Sequence, residues 1–84
     1  MYEVYLERAA ERDLERLSPE DFNRVIERLR KLASDPRPAG ARKVRGSRDD
    51  WRIRVGRLRA IYEVDDRAQV VRVMRVRSRR RAYG

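Results

Sequence analysis

The run Trp51-Arg-Ile-Arg-Val-Gly-Arg-Leu-Arg-Ala-Ile-Tyr-Glu-Val64 leaves the chain few ways to fold. Apolar Trp51, Ile53 and Val55 alternate with Arg52 and Arg54, the two-residue period of a strand buried on one face. Gly56 interrupts the pattern, which resumes at Leu58, Ala60, Tyr62 and Val64. Two such runs about a two-residue loop with glycine first predict a hairpin on a type II′ turn at Gly56-Arg57. Pairing across that turn sets Val55 opposite Leu58, Arg54 opposite Arg59 and Arg52 opposite Ile61. Arg52, Arg54 and Arg59 then share one face of the ribbon, and the apolar set takes the other. Arg54 facing Arg59 is a like-charge pair, which destabilises a sheet. Local rules tend to be broken where function requires it, and such a face is suited to an anion.

Around the hairpin, the pattern predicts an α+β fold in the order β-α-α-β-β-β. Met1 to Leu6 alternates through Tyr2, Val4 and Leu6 and reads as a short strand, with Tyr2 and Tyr5 on opposite faces. Glu7 to Leu17 carries Ala10, Leu14 and Leu17 on one helical face. A second helix opens with Ser18 as N-cap, Pro19 at the first helical position and Asp21 at the capping-box position. Leu17 and Phe22 are spaced as a hydrophobic staple across that cap. The apolar stripe continues through Val25, Ile26, Leu29, Leu32 and Ala33, and Pro36 ends the helix. Arg37 to Asp50 reads as a long connection with turn points at Pro38, Gly40 and Gly46. After the hairpin, Asp65 to Ala68 forms a turn and Gln69 to Val76 a last strand. Its apolar residues occur at both parities, as in a central strand buried on both sides. Pairing Val64 with Gln69 puts Val71 and Val73 in the core and Arg72 and Met74 on the arginine face. Trp51, Tyr62 and Phe22 are expected in the core, and Glu63 is expected as counter-ion to Arg72. The architecture is thus a two-helix hairpin packed on one face of a small antiparallel sheet, with arginines lining the other.

An 84-residue chain is expected to form one domain. It contains neither cysteine nor histidine, which removes disulfides, thiolate nucleophiles, imidazole acid–base chemistry and the zinc sites built on those residues. No cofactor or metal is expected. No segment reaches the roughly 20 apolar residues of a membrane span, and Glu3, Glu7 and Arg8 interrupt any signal-like core. A cytoplasmic protein without a membrane partner is the simplest expectation. The net charge of +9 is unevenly spread: residues 1–36 sum to −2, 37–59 to +7, 60–71 to −2 and 72–84 to +6. Positive charge gathered in the hairpin region and the C-terminal end focuses a field on a polyanion such as nucleic acid.

Several segments, taken in order, resemble one family. They are Arg8-Ala-Ala-Glu-Arg-Asp-Leu14, Leu32-Ala-Ser-Asp-Pro-Arg-Pro38, Arg45-Gly-Ser-Arg-Asp49, Trp51-Arg-Ile-Arg-Val-Gly56, Arg59-Ala-Ile-Tyr-Glu-Val64 and Arg75-Val-Arg-Ser-Arg-Arg-Arg-Ala-Tyr83. Their order and spacing resemble the RelE/ParE toxins of bacterial and archaeal type II toxin–antitoxin modules over essentially the whole chain. The resemblance implies a RelE-like fold and a function. RelE-type toxins are ribosome-dependent mRNA endoribonucleases that cleave mRNA in the ribosomal A site without a metal, using the RNA's own 2′-hydroxyl as nucleophile. Its partners would then be mRNA, rRNA and a cognate, RelB-like antitoxin. ParE-type relatives share the scaffold, poison DNA gyrase and commonly lack the tyrosine ending, so Arg-Ala-Tyr83 favours the ribonuclease branch. A non-catalytic basic nucleic-acid-binding relative is the remaining alternative. By resemblance the catalytic candidates are Arg52, Arg54, Arg59, Arg79 and Tyr83. The flanking residues expected to contact RNA are Lys43, Arg45, Arg57, Arg72, Arg77 and Arg80. The chain departs from the family at Ser78, where many relatives carry a histidine or lysine. Arg52 and Arg54 replace the lysines of some members.

The residue types suit the chemistry. Attack by a 2′-hydroxyl adds negative charge to the phosphate in the transition state, and a planar guanidinium can hold two phosphate oxygens at once. Arg59 and Arg79 are the expected grips on the scissile phosphate, with Arg52 and Arg54 positioning the RNA. An arginine, with a pKa above about 12, is a poor general base. Tyr83 could act as acid or base only if neighbouring arginines lowered its pKa, and could equally stack on a base.

Overall fold

The structure, a computed structural model, describes residues 1–78. Elements run β1 (Glu3–Leu6), α1 (Arg8–Glu15), α2 (Pro19–Lys31), β2 (Arg42–Lys43), β3 (Asp50–Val55), β4 (Leu58–Asp65) and β5 (Val70–Ser78). The five strands form one sheet in the order β1-β5-β4-β3-β2. The expected α+β order is present, with two corrections. First, the sheet is mixed: β1 lies parallel to β5, Val4 beside Val71 and Leu6 beside Val73. Second, the long connection after α2 contains β2, which pairs Arg42 with Arg52 and Lys43 with Trp51.

The central hairpin folds as its alternation requires, with Val55 opposite Leu58, Arg54 opposite Arg59 and Arg52 opposite Ile61. Gly56 has φ +60° and Arg57 keeps a negative φ, the type II′ arrangement that matches the strand twist. Between β4 and β5 the register differs from the sequence expectation: Val64 stands opposite Val71, because the turn runs four residues from Asp66 to Gln69. Asp65 Oδ1 accepts from the Ala68 N–H at 3.0 Å, and Gln69 takes φ +56° to bring the chain back. A bulge then falls where Tyr62 faces Val73 and Ile61 faces Arg75, leaving Met74 as the extra residue. That extra residue explains the mixed parity of the last strand. It changes the phase, so that Val71, Val73 and Val76 all reach the core.

The helices cover one face. Ser18 Oγ accepts the Asp21 N–H at 3.2 Å and closes the start of α2 as its sequence implies. The core joins Ala10 and Leu14 of α1, Val25 and Leu29 of α2, and Leu32 just beyond it, to Ile53, Val55, Leu58, Ala60, Tyr62, Val64, Val71, Val73 and Val76 of the sheet. Phe22, expected in this core, stays 39% exposed at the N-terminal end of the stripe. Trp51 is only partly buried, and the Arg37 guanidinium carbon lies 5.4 Å from its ring centroid. Tyr62 is fully buried and donates its hydroxyl to the Pro36 carbonyl at 2.7 Å, tying the end of the helical layer to the sheet.

Beyond Leu6, β1 no longer covers the edge of β5, and α1 takes over. Asp13 accepts the Val76 N–H at 2.9 Å and pairs with Arg75 through Nε at 2.8 Å and Nη2 at 3.1 Å. Burial alone would raise the Asp13 carboxyl. The hydrogen bonds from Arg75 and Val76, with the charge of Arg77 nearby, outweigh it and hold the group below the ordinary carboxylate range. Among the described residues, no helix is long and apolar enough to cross a membrane.

Candidate functional site

Register alone arranges the side chains of the sheet face opposite the helices. Directly opposed residues of an antiparallel pair share a face. One row therefore runs Arg54–Arg59–Arg77 across β3, β4 and β5. The next, two residues along, begins Arg42–Arg52–Ile61 across β2, β3 and β4. A third runs Asp50–Glu63–Arg72–Tyr5 and carries the acidic groups. The face is thus basic toward the Gly56 turn and mixed toward the opposite end.

At the basic end a cavity of about 330 Å³ is lined by Gly40, Arg42, Arg52, Ile53, Arg54 and Arg59. Arg54 is exposed, Arg52 half-buried, and Arg59 only 6% exposed, the one buried charged residue among those described. Among the described residues no carboxylate pairs with Arg42, Arg52 or Arg54. Guanidiniums stay charged when partly desolvated. Several such groups gathered in one groove make a positive potential, and guanidiniums so placed can bind a phosphate through forked, charge-assisted hydrogen bonds.

The other expected residues distribute unevenly. Arg77 joins the arginine row beside Arg59. Arg45 is exposed in the turn after β2. Lys43 pairs with Trp51 and so occupies the opposite sheet face from Arg42, away from the cavity. Arg57, at the hairpin tip, leans toward the helices, with Nη2 3.5 Å from Asp21 Oδ2. Arg72 is held by two carboxylates, Glu63 at 2.5 Å and Glu7 at 3.6 Å, which bears out the counter-ion expectation for Glu63. Arg79, Arg80 and Tyr83 lie outside the described residues.

Sequence reasoning missed Arg42. Its place depends on a two-residue strand formed across the turn from Val44 to Asp49. That turn is closed by Val44 N–H donating to the Asp50 carbonyl at 2.9 Å and by Asp50 N–H donating to Ser47 Oγ at 3.2 Å. Ser47-Arg-Asp-Asp50 is the one local signal for it. A separate cluster at the opposite end of the sheet is structural. Arg37 pairs with Asp66 at 2.7 Å while Tyr2 donates to the same carboxylate at 2.5 Å, and the two hydrogen bonds, Arg37 first, hold Asp66 below the usual carboxylate range.

Comparison with known proteins places this geometry. The chain is similar to RelE in the archaeal RelE–RelB complex of Pyrococcus horikoshii, with a TM-score of 0.83 and 25% identity over 93% of this chain and 94% of that one. It is similar to the RelBE2 toxin–antitoxin complex of Mycobacterium tuberculosis at TM-score 0.82 and 29% identity, covering 93% and 98% of the two chains. The intact RelBE complex of Escherichia coli gives a TM-score of 0.81 at 25% identity, with 93% and 96% covered. Comparison with curated protein sequences gives no match. The family model for the ParE toxin of type II toxin–antitoxin systems, parDE, matches residues 4–83. With nearly the whole length matched and a RelE-like sheet and helical layer, the chain belongs to the RelE/ParE family of type II toxins.

Proposed function

We propose that this toxin is a ribosome-dependent mRNA endoribonuclease that inhibits translation by metal-independent strand cleavage, with the RNA 2′-hydroxyl as nucleophile. One observation carries the reading: Arg52, Arg54 and Arg59 converge on one cavity at the basic end of the sheet. Such a cavity stabilises the extra charge that a phosphate acquires as the 2′-oxygen attacks and the 5′-oxygen departs. Arg59, held rigidly by burial between Arg54 and Arg77, grips the scissile phosphate. Arg54 and Arg52, more exposed, orient the strand. Arg79 and Tyr83 are proposed to complete the site from the C-terminal end, Arg79 as a second phosphate grip and Tyr83 as a stacking platform or proton carrier. Arg77, Arg45 and Arg80 supply flanking backbone contacts to mRNA and rRNA.

The partner that controls such a toxin is proposed to be a RelB-like antitoxin, since the similar structures are complexes of that kind. An acidic or amphipathic segment that orders on binding would neutralise the arginine face.

The test is purified protein added to a translation extract, with transcript 5′ ends mapped with and without ribosomes. Cleavage that needs ribosomes and drops by about 10²–10³ in Arg54→Ala and Arg59→Lys supports the reading. Exposed Arg54 controls for any folding defect at buried Arg59. Intact transcripts under arrested translation, or inhibition of DNA supercoiling by purified gyrase, would overturn it.

A further inference from the structure

We infer that Arg42 and Arg52 form a second phosphate subsite beside the Arg54–Arg59 pair, so that the toxin holds two successive phosphates of one RNA strand. The inference rests on the ribonuclease reading and deepens it by giving Arg42 a binding role. Arg42 stands directly opposite Arg52, and Arg54 directly opposite Arg59. Opposed side chains start about 5 Å apart, close enough for two guanidiniums to share one phosphate. The two pairs are displaced by two residues along β3, about 6.8 Å, and by one strand spacing across the sheet, about 4.8 Å, so their centres lie about 8 Å apart, a span that long arginine side chains can match to neighbouring phosphates of an extended nucleotide chain.

Charge points the same way. The cavity gathers Arg42, Arg52 and Arg54, with which no carboxylate pairs among the described residues. A single phosphodiester brings one negative charge and leaves most of their mutual repulsion standing. Two phosphates, one of them gaining charge as it reacts, come much nearer to compensation. Gly40, at φ +93° on the cavity rim, turns the chain so that Arg42 can pair beside Arg52.

The experiment uses a labelled single-stranded 2′-O-methyl RNA, in which no sugar hydroxyl can attack, read by fluorescence anisotropy. Single methylphosphonates remove the charge of one phosphate at a time. In the wild-type toxin, two adjacent positions should each weaken binding by about tenfold when neutralised, a loss typical of one charge-assisted contact. In Arg42→Ala, with Arg52 still in place, one of those two penalties should fall to about threefold while the other persists; Arg42→Lys should restore it in part. Arg42 is exposed on an edge strand, so unchanged melting of Arg42→Ala is the folding control. With ribosomes, the same variant should raise KM and leave kcat near wild type. Equal penalties at every phosphate, or wild-type affinity in Arg42→Ala, overturn the second subsite while leaving the ribonuclease reading intact. Absence of cleavage by wild-type protein counts against that reading instead, and absence of binding to the free RNA overturns the second subsite alone.

Discussion

Tyr62 shows how one side chain can set the tolerance of the fold to base. Its ring is fully buried on β4 and its hydroxyl donates to the Pro36 carbonyl, the acceptor that fastens the end of the helical layer to the sheet. Burial pushes the phenol up to about 12, against about 10 in an unfolded chain. The unfolded chain therefore releases this proton first. Stability is fully present below about pH 10 and is lost as pH rises from there toward about 12. Tyr62→Phe should lower stability at neutral pH by about 1 kcal/mol, since a buried carbonyl loses its donor. It should also flatten the loss between pH 10 and pH 12, because the titrating group is gone. Urea unfolding across that range measures both, and an unchanged alkaline slope in Tyr62→Phe would mean that another group controls it. Leu32, fully buried against the sheet, is a plainer case, and Leu32→Ala should cost about 3 kcal/mol by leaving a cavity.

At the scale of elements, most of the fold was legible because each piece carried a local signal. Ser18-Pro19 announced α2, and Gly56-Arg57 announced the hairpin together with its register. That register was enough to oppose Arg54 to Arg59, and with them the heart of the arginine face. The parallel pairing of β1 with β5 was not legible, since it joins Glu3 to Val70 with nearly the whole chain between them. The bulge at Met74 was likewise hidden: mixed parity in the last strand has two explanations, burial on both faces or one inserted residue, and only the neighbouring strand decides. Arg42 was out of reach for a related reason, as a two-residue strand has no period to read. The short reach of β1 gives Asp13 its role. Where β1 ends, an acceptor on α1 replaces the missing strand by taking the Val76 N–H. Asp13→Ala should therefore cost about 2 kcal/mol, and Asp13→Asn, which keeps an acceptor, less. The folded-state carboxyl sits below its ordinary value, so this contribution is present above about pH 4 and is lost as pH falls through the depressed pKa. Acid unfolding should be correspondingly flatter in Asp13→Asn than in the wild-type toxin.

For the whole molecule, the question is whether total charge or its placement governs nucleic-acid binding. The net charge is +9, and a purely global view makes every arginine equivalent. The structure separates two populations. Arg12, Arg16 and Arg30 are exposed on or beside the helices. Arg42, Arg52 and Arg54 line the cavity on the opposite sheet face. Replacing either set of three by alanine takes the net charge from +9 to +6, so the two triple variants are matched in the global quantity. A strand bound at the cavity lies a full layer of protein from the helix arginines, and screening sets in over about 8 Å at physiological salt. Each contacted phosphate contributes about 0.7 to the slope of log affinity against log salt for a single strand. With two phosphates held at the cavity, the cavity triple should therefore lose up to about 1.4 from that slope, and the helix triple should keep it nearly unchanged with affinity within about twofold of the wild-type value. Anisotropy titrations of one RNA over a salt series read both numbers. Equal losses in the two triples would mean that the molecule binds RNA as a diffuse polycation. The arginine rows would then be a by-product of strand register, without a part in selecting the substrate.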